Sequence, residues 1–236
     1  MQAAASLPPA LWEALAAARP VALATRLGPE ASPATAAFGD ALVAGSLGDP
    51  GLDERAQAAA GELLADPRAN RVTLEEGPDR VLIEKVVART RVATVGSGEV
   101  VEALADLAPA LGWLTEPLGD DETSVGAAGR LGPPDALVVT THHPRRGPDA
   151  LLAGLRSGAF FIGALGSRRT QERRADALRG LGAGDGELAR IHGPVGLDLG
   201  GRSPAETALA ICAEILAVRS GRDLPGLRDR AGSINT

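Results

Sequence analysis

The sequence predicts an α/β chain: a C-terminal doubly wound parallel sheet, preceded by a smaller α+β domain. Two observations carry the larger domain. From Arg91 onward, short apolar and β-branched runs alternate with helical stretches, and strands separated by helices pair in parallel. Two of those runs end in glycine turns that open helices, at Gly96-Ser97-Gly98 and at Gly166-Ser167, the strand–turn–helix arrangement of ligand-binding sheets. Before Arg91 helices and strands mix without that alternation. The expected divisions are residues 1–89, 90–222 and a tail over 223–236.

The totals fit this. With 236 residues and 44% hydrophobic content the chain can build a substantial core. Aromatics at 2% and a net charge of -6 speak against base-stacking surfaces and against a nucleic-acid partner. No apolar stretch reaches membrane-spanning length, and residues 1–19 lack the charged start and cleavage site of a signal peptide, so a cytoplasmic protein is expected. The single cysteine, Cys212, excludes an internal disulfide framework and a cysteine-rich metal site; no metal is expected.

In chain order, Pro8 to Arg19 reads as an Ala/Leu-rich helix stopped by Pro20. Val21 to Thr25 reads as a strand, Leu27 to Phe38 as loop, and Ala41 to Ala44 as a second strand. Gly45 to Gly51 is turn-forming, and Asp53 to Ala65 a helix ended by Asp66-Pro67. Arg71 to Glu75 and Val81 to Val87 alternate as strands about Gly77-Pro78. The larger domain begins with the strand Val92 to Val95 and the helix Val100 to Leu111. Trp113-Leu114 is a minimal strand, Ala136 to Thr140 a clear one, and Pro148 to Arg156 a helix. Phe160 to Ala164 is the next strand and Thr170 to Leu181 the next helix. Ser203 to Arg219 is the best-marked helix, with Ser203 and Glu206 as a capping box and Pro204 in the first turn. Its apolar Ala208, Ile211, Cys212, Ile215 and Val218 recur at helical spacing, which places Cys212 in packing.

Four segments carry residue types with chemistry. Gly96, Ser97 and Gly98 supply two glycines of a dinucleotide fingerprint, one for the tight turn and one for close approach to a pyrophosphate; the third position is Val101. Glu116, about twenty residues on, stands where a carboxylate would bind a ribose diol, a choice favouring NAD over NADP. Gly166, Ser167 and Arg168 combine a helix N-terminus with positive charge, an anion site by backbone N–H groups and dipole. His142 and His143 follow a strand at the ligand-binding edge, open to roles as general base, phosphate contact or metal ligand, or to a plain polar loop contact; adjacent histidines in an extended segment point to opposite sides, which disfavours chelation of one ion. In Ile191 to Gly200, His192 is a candidate acid or base with Asp198 as its orienting partner; the alternative is a structural loop in which Asp198 bonds to backbone.

Phe161-Ile162-Gly163-Ala164-Leu165-Gly166-Ser167-Arg168-Arg169, Ala189-Arg190-Ile191-His192-Gly193-Pro194-Val195-Gly196-Leu197-Asp198-Leu199-Gly200 and Ser203-Pro204-Ala205-Glu206 together resemble the xanthine dehydrogenase accessory factor family (XdhC/CoxI). The resemblance is dense from about Arg91 to Arg222, and Gly96, Gly98, Thr141 and His142 fall where that family has a nucleotide-type loop and a Thr-His pair. It implies an accessory domain followed by a Rossmann domain. It further implies a role in maturing molybdenum hydroxylases, by holding molybdenum cofactor for sulfuration and handing it to the apo-enzyme, and a homodimer. The sequence departs from the family where Gly-Gly-Cys is replaced around Gly45-Ser46-Leu47-Gly48, where Cys-Gly-Gly has no counterpart between Arg71 and Val87, and where His143 stands for an aspartate.

The functional expectation is an accessory protein binding a nucleotide-containing cofactor, either molybdenum cofactor nucleotide or NAD(P). Its phosphates would lie over Gly96, Ser97 and Gly98, with Thr141 nearby and Gly166 to Arg168 a second anion contact. The rival expectation is an NAD(P)-dependent oxidoreductase using His142, His143 or His192 for proton transfer. A scaffold that only binds a partner protein is the third.

Overall fold

A computed structural model describes residues 9–17, 19–27, 34–39, 42–66, 69–76 and 79–221. The chain divides into two compact units, residues 1–88 and 89–236.

In the first unit, helix α1 (Pro9–Ala16) precedes strands β1 (Val21–Leu27), β2 (Ala34–Gly39) and β3 (Leu42–Gly45). Helix α2 (Pro50–Ala65) and the pair β4 (Arg71–Glu76) and β5 (Asp79–Val86) follow. The sheet runs β3-β2-β1-β5-β4, antiparallel throughout. Leu52, Ala56, Ala60 and Leu63 of α2 pack on Ala22, Ala24, Ala36, Phe38, Val81 and Ile83, while Leu11 and Ala14 of α1 join Val21 and Ala37 in a separate cluster. Strand β2 corrects the expectation of loop up to Phe38. Its Ala36 and Ala37 are both fully buried, and the small side chains that suit burial on both faces carry little strand propensity. The α2 cap is Asp49, whose carboxylate accepts from Leu52 N at 2.7 Å, so the helix starts earlier than expected at Asp53. The Gly77-Pro78 turn and the tail after Gly221 lie outside the described residues.

The second unit alternates as its sequence predicts. It contains β6 (Arg91–Val95), α3 (Glu99–Ala110), β7 (Leu114–Pro117), α4 (Glu122–Ala128), β8 (Asp135–Val139) and α5 (Arg146–Leu155). It continues through β9 (Phe161–Ala164), α6 (Arg168–Gly180), α7 (Asp185–Ala189), β10 (Ile191–His192) and α8 (Pro204–Arg219). The five strands are parallel in the order β10-β9-β8-β6-β7. Leu104 and Ala108 of α3 and Ile211 and Ile215 of α8 pack with Val92, Ala136 and Val138 on one face. Leu151 of α5, Leu178 of α6 and Ala128 of α4 pack with Ala93, Leu137 and Ile162 on the other. From β6 the chain winds one way to β7, and from β8 the other way to β9 and β10. The reversal between β6 and β8 is where open α/β sheets bind ligands.

Trp113 lies just before β7 rather than in it, buried under the Arg219 guanidinium 5.4 Å from its ring centroid. The short α4, α7 and β10 were not anticipated; β10 forms inside a glycine-rich segment because two residues suffice to pair with β9. Cys212 is core, as its helical position predicts, and burial pushes its thiol up to about 11. No helix among the described residues is long and apolar enough to cross a membrane.

At the opposite, amino edge Arg91 donates to buried Asp135 through Nε at 2.8 Å and Nη2 at 2.5 Å, while Asp135 also accepts from Gly132 N at 2.6 Å. The hydrogen bond to Asp135 holds the Arg91 guanidinium above its ordinary pKa. Arg91→Met removes the cation and leaves a buried carboxylate with one partner. A destabilisation of about 3 kcal/mol is expected in urea unfolding, and a loss under 1 kcal/mol (roughly the worth of a surface pair) would show that water replaces the guanidinium.

Candidate functional site

Strand β6 ends at Val95, and the backbone turns at Gly96 with φ 125°. A β-carbon at 96 would lie 2.2 Å from Thr140 Oγ1 and 2.6 Å from Thr141 N, so the turn passes against the β8 loop where no side chain fits. Gly98, at φ 106°, is the N-cap of α3, and a β-carbon there would meet nothing within 4 Å. The backbone at Gly98 is open for the approach of a ligand. Ser97 beside it is exposed. The first turn of α3 carries Glu99 and Glu102, which oppose the attraction of its dipole for an anion.

Glu116, expected at a ribose, is held by Arg91, Oε2 to Nη1 at 2.7 Å. The loop beyond β7 instead presents Asp120. Its carboxylate pairs with Arg146 at 2.9 Å and accepts from Thr141 Oγ1 at 3.0 Å, contacts that keep its pKa below the ordinary carboxylate value. Thr141 is thus buried and fixed in orientation. His142 and His143 are both exposed, and His143 Nδ1 accepts from Arg146 N at 3.1 Å and so helps cap α5.

After β9, Gly166 takes φ 133° and Ser167 caps α6, Oγ accepting from Thr170 N at 3.3 Å. No acid stands in the first turn of α6, which starts with Arg168 and Arg169. Arg174, one turn further, was missed by the sequence reading. It is 7% exposed, donates to Leu165 O through Nη1 and to Thr141 O through Nη2 at 3.0 Å, and so ties the β8 loop to the β9 loop. Burial holds its pKa below the ordinary arginine value. Gln171 Nε2 donates to Ala164 O at 3.0 Å and to Gly166 O at 3.2 Å, bracing the same turn.

His192 lies in β10, its ring stacked on Phe161 at 4.4 Å and its Nδ1 2.8 Å from Glu214 Oε1. The other oxygen of Glu214 accepts from Gly196 N at 2.7 Å. The carboxylate against His192 Nδ1 is thus Glu214 of α8, a residue that sequence spacing does not suggest. Pairing of β10 with β9 turns the imidazole into the sheet–helix interior, where it is 8% exposed.

Two cavities open at this edge. The larger, about 540 Å³, is lined by His142, Gly166, Ser167, Arg168, Asp198 and Glu206 among others. The smaller, about 310 Å³, lies between the β8 loop and α6 and shares His142, with Thr141 in its wall. The fold thus gathers His142, Gly166, Ser167, Arg168 and Asp198 around one cavity, with Thr141 next to it. Gly96, Ser97 and Gly98 stand at the neighbouring switch point, and Glu116 and His192 line neither cavity. Among the described residues no group of three His, Cys, Asp or Glu side chains could hold a metal ion.

Residues 92–215 match the family model described as the XdhC Rossmann domain. Similar proteins include the molybdenum cofactor insertion chaperone PaoD of Escherichia coli, 30% identical over 129 residues, 55% of this chain and 40% of that protein. The uncharacterized protein YqeB of Escherichia coli is 29% identical over 153 residues, 56% of this chain and 28% of that protein. A probable xanthine dehydrogenase subunit of Bacillus subtilis is 32% identical over 87 residues, 37% of this chain and 24% of that protein. The chain spans well under half the length of these relatives. In fold it is similar to a crystal structure described as a xanthine dehydrogenase from Bacillus halodurans, with TM-score 0.56 and 21% identity over 91% of this chain and 64% of that one.

Glu214 satisfies two buried donors at once, so Glu214→Ala is expected to destabilise the protein by about 3 kcal/mol. Glu214→Gln keeps one acceptor and one donor and should cost about 1 kcal/mol. Equal losses for the two variants in urea melts would mean that packing, not hydrogen bonding, sets the role of this side chain.

Proposed function

The chain belongs to the XdhC Rossmann-domain family, and from that premise we propose that it is an accessory protein of molybdenum hydroxylase maturation, holding a nucleotide-containing cofactor along the carboxyl edge of its parallel sheet. The names of two relatives, a molybdenum cofactor insertion chaperone and a probable xanthine dehydrogenase component, support this reading. The observation that carries the binding part is Gly98: a left-handed glycine at a helix start with open space where a side chain would be. The Gly-Ser-Arg start of α6, with Ser167 exposed and Gly166 and Arg168 half-buried, would supply the second anion contact.

The donor set fits the phosphoryl end of such a cofactor. Backbone N–H groups at Ser97 and Gly98 would hold one phosphoryl group, and the Ser167 hydroxyl and the Arg168 guanidinium a second one further along the ligand. It does not fit ligation of molybdenum by a thiolate or relay of sulfur. The chain's one cysteine is core, and Leu47, in the segment that stands where the family carries Gly-Gly-Cys, is fully buried among apolar neighbours. No sulfur-transfer step is assigned to this chain. Its part is to bind and present the cofactor, with a partner enzyme as recipient. Weighing against the oxidoreductase alternative, the Glu116 carboxylate that would take the ribose is paired with Arg91.

Gly98→Asp places a carboxylate in the open space on a backbone that favours glycine, and should weaken nucleotide binding by about 100-fold through repulsion, obstruction and strain, with the melting temperature lowered by up to roughly 10 °C. Native mass spectrometry with NAD, NADP and molybdopterin nucleotide reads both affinity and ligand choice. Undiminished binding to the variant would remove Gly98 from the site, and selective binding of NAD(P) would revive the oxidoreductase. A second expectation concerns Cys212: with its thiol pushed up to about 11, it should resist iodoacetamide at pH 8 in the folded protein and react once unfolded. Rapid labelling of native protein would return a usable thiol to the mechanism.

A further inference from the structure

The smaller cavity has a wall that the nucleotide reading does not use. Its polar lining is Thr141, His142, His143, Thr170, Arg173 and Arg174, two guanidinium groups and two imidazoles with no carboxylate among them. Asp120, which accepts from Thr141, is paired with Arg146 and does not line the cavity.

Arg174 is the unusual member. A guanidinium this deeply buried normally sits against a carboxylate, because an uncompensated interior cation is costly. Its hydrogen bonds go only to Thr141 O, Leu165 O and Gln171 Oε1, and no ion pair is present for it among the described residues. Among the described residues those bonds leave Nε–H without a protein partner and Nη2 with one N–H to spare, while no fully buried side-chain polar atom is left unpaired. His143 adds a donor of known identity. Its Nδ1 accepts backbone N–H groups from Arg145 and Arg146, so the neutral ring carries its hydrogen on Nε2. Arg173, exposed and without an ion pair among the described residues, contributes a positive charge at the mouth. A cavity whose polar wall is made of donors and cations, beside the apolar Pro144, Pro148 and Ala177, and around a buried charge with no ion pair among the described residues, is complementary to an oxyanion.

We propose that this cavity is an oxyanion-binding site that takes a phosphoryl group, with Arg174, Arg173 and the Nε2–H of His143 as its donors. At about 310 Å³ it admits a phosphate with a small part of whatever carries it. The bound group supplies the charge that Arg174 lacks and stiffens the β8–β9 connection that this arginine makes. The site does not depend on the nucleotide reading. It borders the larger cavity at His142, so its phosphoryl group comes either from a ligand extending out of that cavity or from a separate small anion.

The reporter is the imidazole of His143, which lines only the smaller cavity. In nitrogen-detected NMR of the full chain, its Nε2 resonance should shift saturably on titration with inorganic phosphate. Potassium chloride at matched ionic strength should leave it in place. Arg173→Gln, a surface change that should spare folding, is expected to weaken the phosphate response about tenfold. Arg168→Gln, in the larger cavity only, should leave it unaltered. Repeating the titration with saturating molybdopterin nucleotide separates the sources. A response already complete before phosphate is added assigns the site to that ligand, and an undiminished one assigns it to a separate anion. No shift at tens of millimolar phosphate, an equal shift with chloride, or a response indifferent to Arg173→Gln overturns the proposal. Loss of nucleotide binding in Gly98→Asp with the His143 response intact would separate the fate of this site from that of the nucleotide reading.

Discussion

The carbonyl of Val95, at the end of the first strand of the parallel sheet, accepts from Thr140 N at 2.8 Å, Thr141 N at 3.2 Å and Thr140 Oγ1 at 3.3 Å. That approach is possible because residue 96 has no side chain. Gly96 N in turn donates to Gly119 O at 3.0 Å, so one glycine draws the loops after β6, β7 and β8 into a single junction. The rest of the edge is built outward by side chains that each join two segments. Arg174 joins the loops after β8 and β9, and Glu214 joins β10 to the turn at Gly196. These ties are buried, where a hydrogen bond left unmade is costly. They define the cavities as much as the residues lining them do.

This explains which parts of the molecule were legible in the sequence. Strand–helix alternation after Arg91 and the Ser203–Glu206 capping box are local signals, and both elements form where they predict. The Gly96, Gly98 and Gly166 turns were legible because positive φ leaves a residue-type signature. Arg174 and Glu214 were not, since each looks like an ordinary charge on a helix. Arg174 closes the uniformly polar run Gln171-Glu172-Arg173-Arg174, and Glu214 interrupts an otherwise apolar face. Their meaning comes from partners 33 and 22 residues away, a separation no periodicity encodes. Strand β2 was hidden for the opposite reason: its alanines carry too little signal of any kind.

The first unit makes a parallel point about chemistry. Ser46, in the turn after β3, donates to Asp53 Oδ2 at 2.6 Å, and Leu47 N donates to Asp53 Oδ1 at 2.7 Å. Gly45 beside them is required, since a β-carbon there would lie 2.3 Å from Thr35 O. The turn is held by hydrogen bonds and by burial of Leu47, a structural solution with no thiol in it.

Charge then decides where along the edge an anion is best held. The start of α3 has the open glycine but also Glu99 and Glu102, whose carboxylates offset its dipole. The start of α6 has no acid in its first turn and brings Arg168 and Arg169, with Arg173 and Arg174 one turn on. In a chain of net charge -6, this concentration of guanidinium groups on one helix is a local inversion of the overall field. A phosphate bound only over Gly98 would meet backbone donors and two carboxylates. One reaching α6 meets donors and cations together. A ligand that uses both must run from the switch point past His142 to α6, so its length and the position of its second charge, rather than the glycine loop alone, would set what this chain selects.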